Sequence, residues 1–259
     1  MVFLEEIVDK VIKNKTNYAV NIGCGNGKDH DPLYPFFYSG WEGFVIDAKD
    51  DPDLYVNLPS EKIIKKIGTI TPLNVLDYLD RNCHSNIDIL KIDIDSYDGP
   101  VLKSILNGGY RPSIIVAEIQ PEIPPPISFS VLYDERYKTL DDDGHIGGFY
   151  GMSLSYAVNL CSSFGYQLVE LDFETKFTHD AIFVHGNIFS NPNFNGKTTR
   201  EIWLDTIPGY HHFYEYAVDS SIWRNMKDID EAGRYIFDMI MYANTRKHKG
   251  IAIPFCYDY

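Results

Sequence analysis

Apolar residues recur at helical spacing over the first dozen positions, at Phe3, Leu4, Ile7, Val8, Val11 and Ile12. That period predicts an amphipathic helix packed on a larger body. The pattern then changes to short apolar runs that read as buried strands: Tyr18–Ile22, Gly43–Asp47, Ile87–Asp95 and Ser113–Ile119. Between them, residues 59–67 carry a helical pattern, Gly68–Pro72 reads as a short strand and its exit, and Leu73–Asp80 as a helix. A further helix runs from Gly99 to about Leu106, with Pro100 in its first turn, where proline is favoured. Strands alternating with helices predict a parallel, doubly wound α/β sheet.

Residues 120–151 break the rhythm. Pro121, Pro124, Pro125 and Pro126 are followed by Asp141-Asp142-Asp143 and by glycines 144, 147 and 148. A loop of this length inside a compact domain is usually functional or disordered. The pattern resumes as a helix over Ser153–Phe164, then two strands, Tyr166–Asp172 and Ala181–Val184, antiparallel or hairpin-like. The remainder is an aromatic-rich tail with a helix from Glu231 to Lys247, opened by Asp228 and Glu231 at capping-box spacing. The expected division is a ligand-binding domain over 1–186 and an α-rich extension over 187–259, packed on it.

At 259 residues the chain is long enough for one large α/β domain with an extension. Its net charge of −14 and its lack of a basic cluster beyond Lys62, Lys65 and Lys66 argue against a nucleic-acid partner. No apolar run reaches the ~20 residues of a membrane helix, and the N-terminus lacks a signal-peptide pattern. Cys24, Cys83, Cys161 and Cys256 show no paired spacing, so reduced thiols in a cytoplasmic protein are expected.

The chemistry starts where the first strand breaks into Gly23-Cys-Gly25-Asn-Gly27. Glycines there tolerate positive φ and let the backbone approach a ligand. About 20 residues later the second strand ends in Asp47, where a ribose would present its hydroxyls. The pair predicts an adenosine-containing cofactor. The dinucleotide fingerprint is G-x-G-x-x-G, whereas here the third glycine comes one residue early. The spacing resembles motif I of S-adenosylmethionine-dependent methyltransferases, whose cofactor carries no phosphate. Asp29, His30 and Asp31 after the loop suit a cationic sulfonium. Asn21 stands where that motif usually has an acid.

The second constellation is Leu90-Lys-Ile-Asp93-Ile-Asp95-Ser-Tyr-Asp98-Gly-Pro-Val-Leu102. Asp93 and Asp95, two apart on a strand, project to one side at its C-terminal end, the ligand-binding end of an open α/β sheet. Three roles are open to these acids. One holds a loop N–H; or one acts as general base toward a substrate hydroxyl; or Asp93 or Asp95, with Glu118 at the next strand end, holds a divalent cation such as Mg²⁺. In the glycine-rich loop, His145 is a candidate base or an ordinary exposed residue. Tyr150 and the His179-Asp180 pair are candidate ligand contacts. Tail residues His211, His212, Trp203, Tyr210, Phe213, Tyr214, Tyr216 and Trp223 cap the site, form a homodimer surface or pack into the core.

This stretch resembles the signature of FkbM-type methyltransferases: a Lys-Ile-Asp strand end, then two spaced acids and a helix opening with Val-Leu. Thr71-Pro-Leu-Asn-Val-Leu-Asp77, the segment from Val116 to Pro126, Tyr150-Gly-Met-Ser-Leu154 and Gly165-Tyr-Gln-Leu-Val169 are similar to elements of the same family or a subgroup of it. The resemblance spans about residues 18–186. It implies a Rossmann-like, mostly parallel seven-stranded sheet of the class I methyltransferase fold. It implies S-adenosylmethionine as cofactor, held by Asn21, Gly23, Gly25, Gly27, Asp47 and Asp93. Asp95, His145 and Asp93 would be catalytic, with Asp95 and Glu118 the candidate metal ligands. The acceptor would be a hydroxyl on a sugar, glycan or specialised metabolite. The alternatives are a nicotinamide-dependent oxidoreductase and a non-catalytic methyltransferase-like module acting through its tail. The Asp-Asn pair that some metal-dependent O-methyltransferases carry at the next strand end is absent; Glu118 and Gln120 stand there. The Asn/Asp-Pro-Pro-aromatic tetrad of many amino-group methyltransferases is also absent.

Overall fold

The computed structural model describes residues 4–84, 86–121, 123–135, 150–172, 179–187, 198–206, 229–247 and 255–258. Its helices are α1 (Leu4–Val11), α2 (Tyr34–Tyr38), α3 (Asp53–Asn57), α4 (Val75–Asn82), α5 (Asp98–Asn107), α6 (Leu154–Ser163), α7 (Thr199–Thr206) and α8 (Ile229–Lys247). Its strands are β1 (Tyr18–Ile22), β2 (Glu42–Asp47), β3 (Ile63–Ile67), β4 (Ile89–Ile92), β5 (Ile114–Glu118), β6 (Ser128–Val131), β7 (Tyr166–Asp172), β8 (Asp180–His185) and β9 (Phe255–Asp258).

Seven strands form one sheet in the order β3-β2-β1-β4-β5-β8-β7. β1 to β5 pair in parallel, and β8 lies antiparallel between β5 and β7. This is the expected doubly wound, mostly parallel seven-stranded α/β sheet. Alternation along each strand splits the core into two layers. Val20, Ile22, Leu90, Ile92, Ile115, Ala117 and Phe183 face α4, α5 and α6. Ala19, Val45, Ile89, Ile114, Val116 and Ile182 face α1, α2 and α3. Chain direction across the sheet reverses between β1 and β4, the switch point at which open α/β sheets bind ligands.

Two local expectations are corrected. Residues 63–67 form β3, not a helix. Ile63, Ile64 and Ile67 are β-branched, and an edge strand wants its exposed positions charged, as Lys66 is. The segment after β3, read as a strand, is instead a turn: Asn74 Oδ1 accepts from Thr71 N–H at 2.7 Å and its Nδ2 donates to Thr69 O at 3.0 Å. β4 also ends at Ile92, three residues before Asp95.

The segment after β5 is less irregular than its prolines suggest. It contains β6, which pairs antiparallel with β9 in a separate two-stranded sheet. The extension therefore contributes a strand besides its helices. Trp203 of α7 is 1% exposed and donates Nε1–H to Pro121 O at 3.2 Å. Ala232, Ile236 and Ile240 of α8 join the layer over α4 to α6. Asp228 of the expected capping box lies outside the described residues.

Candidate functional site

β1 runs into a tight turn and not directly into a helix. Asn26 Oδ1 accepts from Lys28 N–H at 3.0 Å and Asp29 N–H at 2.9 Å, and Gly27 N–H donates to Cys24 O at 2.8 Å. α2 begins only at Tyr34 and is five residues long. The three loop glycines do different work. Gly23, at φ +83°, presses on β4: a Cβ there would lie 1.6 Å from Asp93 O. Gly25, at φ +50°, has open space where a Cβ would stand. Gly27 packs on Leu54 and Leu58, with a Cβ distance of 2.8 Å to each.

The turn borders a cleft of about 510 Å³ over the C-terminal ends of β1, β2, β3 and β4. Gly23 and Gly25, Asp47, Thr69, Lys91, Asp93 and Asp95 line it. Asp47 is fixed at both oxygens: Oδ2 accepts from Gly25 N–H at 2.7 Å and Oδ1 from Lys49 N–H at 2.8 Å. Each oxygen keeps an acceptor site. Asn21 and Gly27 stand behind the lining. Asn21 is fully buried and donates Nδ2–H to Asp31 Oδ2 at 2.6 Å; its Oδ1 has no hydrogen-bond partner among the described residues.

At the β4 end the acids form two groups. On the α1 face, Asn21 and Lys91 are register partners in β1 and β4. Lys91, 2% exposed, donates Nζ–H to Asp93 Oδ2 at 2.6 Å. Burial opposes its charge, and Asp93, Asp180 and Asp31 together outweigh that, holding the ammonium above its ordinary pKa. Beyond β4 the backbone turns sharply. Asp95 has φ +52°, the left-handed region that acids adopt more readily than most residues. Asp98, at the start of α5 and fully buried, accepts from Ile94 N–H at 2.8 Å and Ser96 N–H at 3.1 Å, which fixes the turn.

The turn, not strand alternation, brings Asp93, Asp95 and Glu118 together: each offers an oxygen, and these lie within 4.8 Å of one another. Tyr150 Oη stands 3.2 Å from Glu118 Oε1 and also hydrogen-bonds Asp95. Burial, with Asp93 and Asp98 nearby, pushes Asp95 up to about 7. Burial and the same neighbours hold Glu118 well above the usual carboxylate range. Glu118 Oε2 and Gln120 Oε1 are buried without a hydrogen-bond partner among the described residues. An oxygen set of this size suits a hard divalent cation, although Lys91 already meets part of the charge on Asp93.

His145, Asp141–Asp143, His211, His212, Tyr210, Phe213, Tyr214, Tyr216 and Trp223 lie outside the described residues. Lys91 and Asp98 stand in the signature stretch but were given no site role by the sequence; Asp180 was a candidate ligand contact together with His179, and both are buried. The signal for Lys91 was a charge in the middle of an otherwise apolar strand, one side-chain repeat from Asp93. Asp98 is the second of the two spaced acids that follow Asp93.

The lining fits a nucleoside with a charged tail. It offers a ribose acceptor at Asp47 and an open backbone at Gly25. It lacks a helix N-terminus at the loop, where a pyrophosphate would sit.

No protein-family model matches the chain, and no curated protein does. Solved structures do match. The SAM-bound amino pentose methyltransferase CalS10 of Micromonospora echinaspora is 10% identical, with 70% of this chain and 89% of that one covered and a TM-score of 0.42. The TehB-like SAM-dependent methyltransferase of Corynebacterium glutamicum is 13% identical, with coverages of 71% and 89% and a TM-score of 0.35. The Bacillus cereus O-methyltransferase in complex with SAH is 16% identical, with coverages of 50% and 70% and a TM-score of 0.33. At these values the likenesses assign neither a substrate nor a residue role.

Proposed function

We propose that the protein is an S-adenosylmethionine-dependent methyltransferase acting on a hydroxyl of a sugar, glycan or specialised metabolite in the cytoplasm. The observation that carries this reading is the glycine turn at the switch point. It opens a backbone onto the cleft at Gly25, is pinned to Asp47, and offers no helix N-terminus to a phosphate. The same observation weighs against a nicotinamide dinucleotide.

When bound, S-adenosylmethionine supplies an electrophilic methyl on its sulfonium sulfur. The chain's contribution is alignment and proton removal. Asp47 accepts from the ribose hydroxyls through its free acceptor sites. Gly25 lets the backbone approach, and Asp93 faces the cofactor's charged end. Asp95, with a pKa near neutrality, takes the proton from the acceptor hydroxyl, and Tyr150 holds that carboxylate in place. The Asp93, Asp95 and Glu118 oxygens support a second reading of the proton step, in which these three residues would hold Mg²⁺ and the ion would supply Lewis-acid chemistry toward the hydroxyl. A chelator that leaves turnover unchanged rules this out.

The test is calorimetric titration with S-adenosylhomocysteine, with NAD in parallel. Micromolar binding of the homocysteine product alone, weakened at least about tenfold by Asp47→Ala, is the expected result. NAD binding alone overturns the reading.

A further inference from the structure

Resting on the methyltransferase reading, we propose that Glu118 and Gln120 form an acceptor subsite that selects a neutral polyol, one with hydroxyls on the carbons next to the methylated one, and rejects an acceptor with a neighbouring anion.

Two buried oxygens at the exit of β5 have no hydrogen-bond partner among the described residues: Glu118 Oε2 and Gln120 Oε1. Glu118 is 7% exposed and Gln120 3%. A buried acceptor left unpaired forfeits the hydration it has in the unfolded chain, and native structures hold few such groups. Here the backbone blocks relaxation. Ile119 N–H donates to His179 O at 2.8 Å, Gln120 N–H to Met152 O at 2.7 Å, and Trp203 Nε1–H to Pro121 O at 3.2 Å. The first of these bonds carries the pairing of β5 with β8 one residue past Glu118, so the chain is extended there. Residues two apart on an extended chain point to the same side, about 6.6 Å from each other. Glu118 and Gln120 therefore present their oxygens on one flank of the sheet's edge.

That flank adjoins the cleft. Asp95 lines the cleft at the β4 end, three strands across from Thr69, and one of its oxygens lies within 4.8 Å of one on Glu118. A hydroxyl held by Asp95 at about 2.8 Å sets the hydroxyl on the next carbon toward Glu118, and the one after that toward Gln120. All three positions accept, so the ligand must donate at each. Of the lysines that line the cleft, Lys91 is paired with Asp93, and Lys49 follows Asp47 at another strand end. A carboxylate or phosphate beside the reacting hydroxyl would meet carboxyl groups and find no donor among the described side chains, which is selection by repulsion as well as by fit.

The experiment measures methyl transfer from labelled S-adenosylmethionine to four ring probes: cyclohexanol, cyclohexane-1,2-diol, cyclohexane-1,2,3-triol and 2-hydroxycyclohexanecarboxylate. In the wild type, kcat/KM should rise about tenfold from the first to the second and again to the third, with no transfer to the carboxylate. Gln120→Met should level the triol with the diol and keep the diol ahead of cyclohexanol. It should also raise the thermal midpoint by roughly 2–4 °C, because the variant no longer buries an unpaired oxygen. An amide kept for structure alone would lower it. Binding of S-adenosylhomocysteine reports that the variant is folded. Equal rates for the three neutral probes, transfer to the carboxylate, or a lower midpoint in Gln120→Met overturns the subsite. So does transfer to none of the four by protein that binds S-adenosylhomocysteine, which leaves the methyltransferase reading standing. Protein that binds no S-adenosylhomocysteine overturns both.

Discussion

Asp95 combines two properties that seldom meet in a surface acid: a left-handed backbone and a pKa pushed up to about 7 by burial and by Asp93 and Asp98. A carboxylate whose pKa is higher folded than unfolded holds more protons in the native state between the two values. Stability therefore falls as pH rises from about 4 toward 7. Asn accepts the left-handed backbone and does not titrate. Asp95→Asn should raise the urea midpoint over wild type at pH 8, with the difference vanishing near pH 4, while kcat falls by about 10²- to 10⁴-fold. An Asn variant no more stable than wild type at pH 8 contradicts the burial argument. The glycines separate at the same scale. Gly23→Ala drives a Cβ into Asp93 O and should cost more than about 4 kcal/mol in denaturant unfolding. Gly25→Ala meets nothing and should cost about 1 kcal/mol of backbone strain while weakening S-adenosylhomocysteine binding. The triplet was legible in the sequence, but this division of labour was not. It depends on which strand lies behind each glycine, and only the packed sheet supplies that. The burial of Lys91 was hidden for the same reason.

Among the elements, the buried parallel strands were the most legible. β1 matches its expected span residue for residue, because a strand covered on both faces reads as an unbroken apolar run. β3 was misread because an exposed edge strand mixes lysines with isoleucines at a spacing that also fits a helix. β6 and β9 escaped because each is four residues long and its partner is remote in sequence. The turn between β4 and α5 shows what holds a site-forming element in place. Asp98 satisfies two backbone N–H groups there while fully buried. Asp98→Ala strands both donors and should cost about 2–4 kcal/mol. It should also lower turnover, because Asp95 loses its fixed geometry. A thermal midpoint within 1 °C or so of wild type would show that the turn holds without it.

At the scale of the molecule, the extension shares the sheet's core. Trp203 is fully enclosed, and Ile236 and Ile240 belong to the layer over α4 to α6. Trp203→Ala should cost about 3–5 kcal/mol and keep unfolding a single cooperative transition. Two separate transitions by calorimetry would instead mean that the extension unfolds by itself. The β6–β9 pairing has a consequence in time. Ser130 and Cys256, partners across that small sheet, are 126 residues apart in the chain. At a synthesis rate of roughly 5–20 residues per second, β6 waits about 6 to 25 s on the ribosome for its partner. During that interval Phe129 and Val131 sit on an open strand edge, the kind of edge that recruits foreign strands. Until β9 is made, that edge is a place where the nascent protein is open to aggregation, and the β6–β9 pairing closes it.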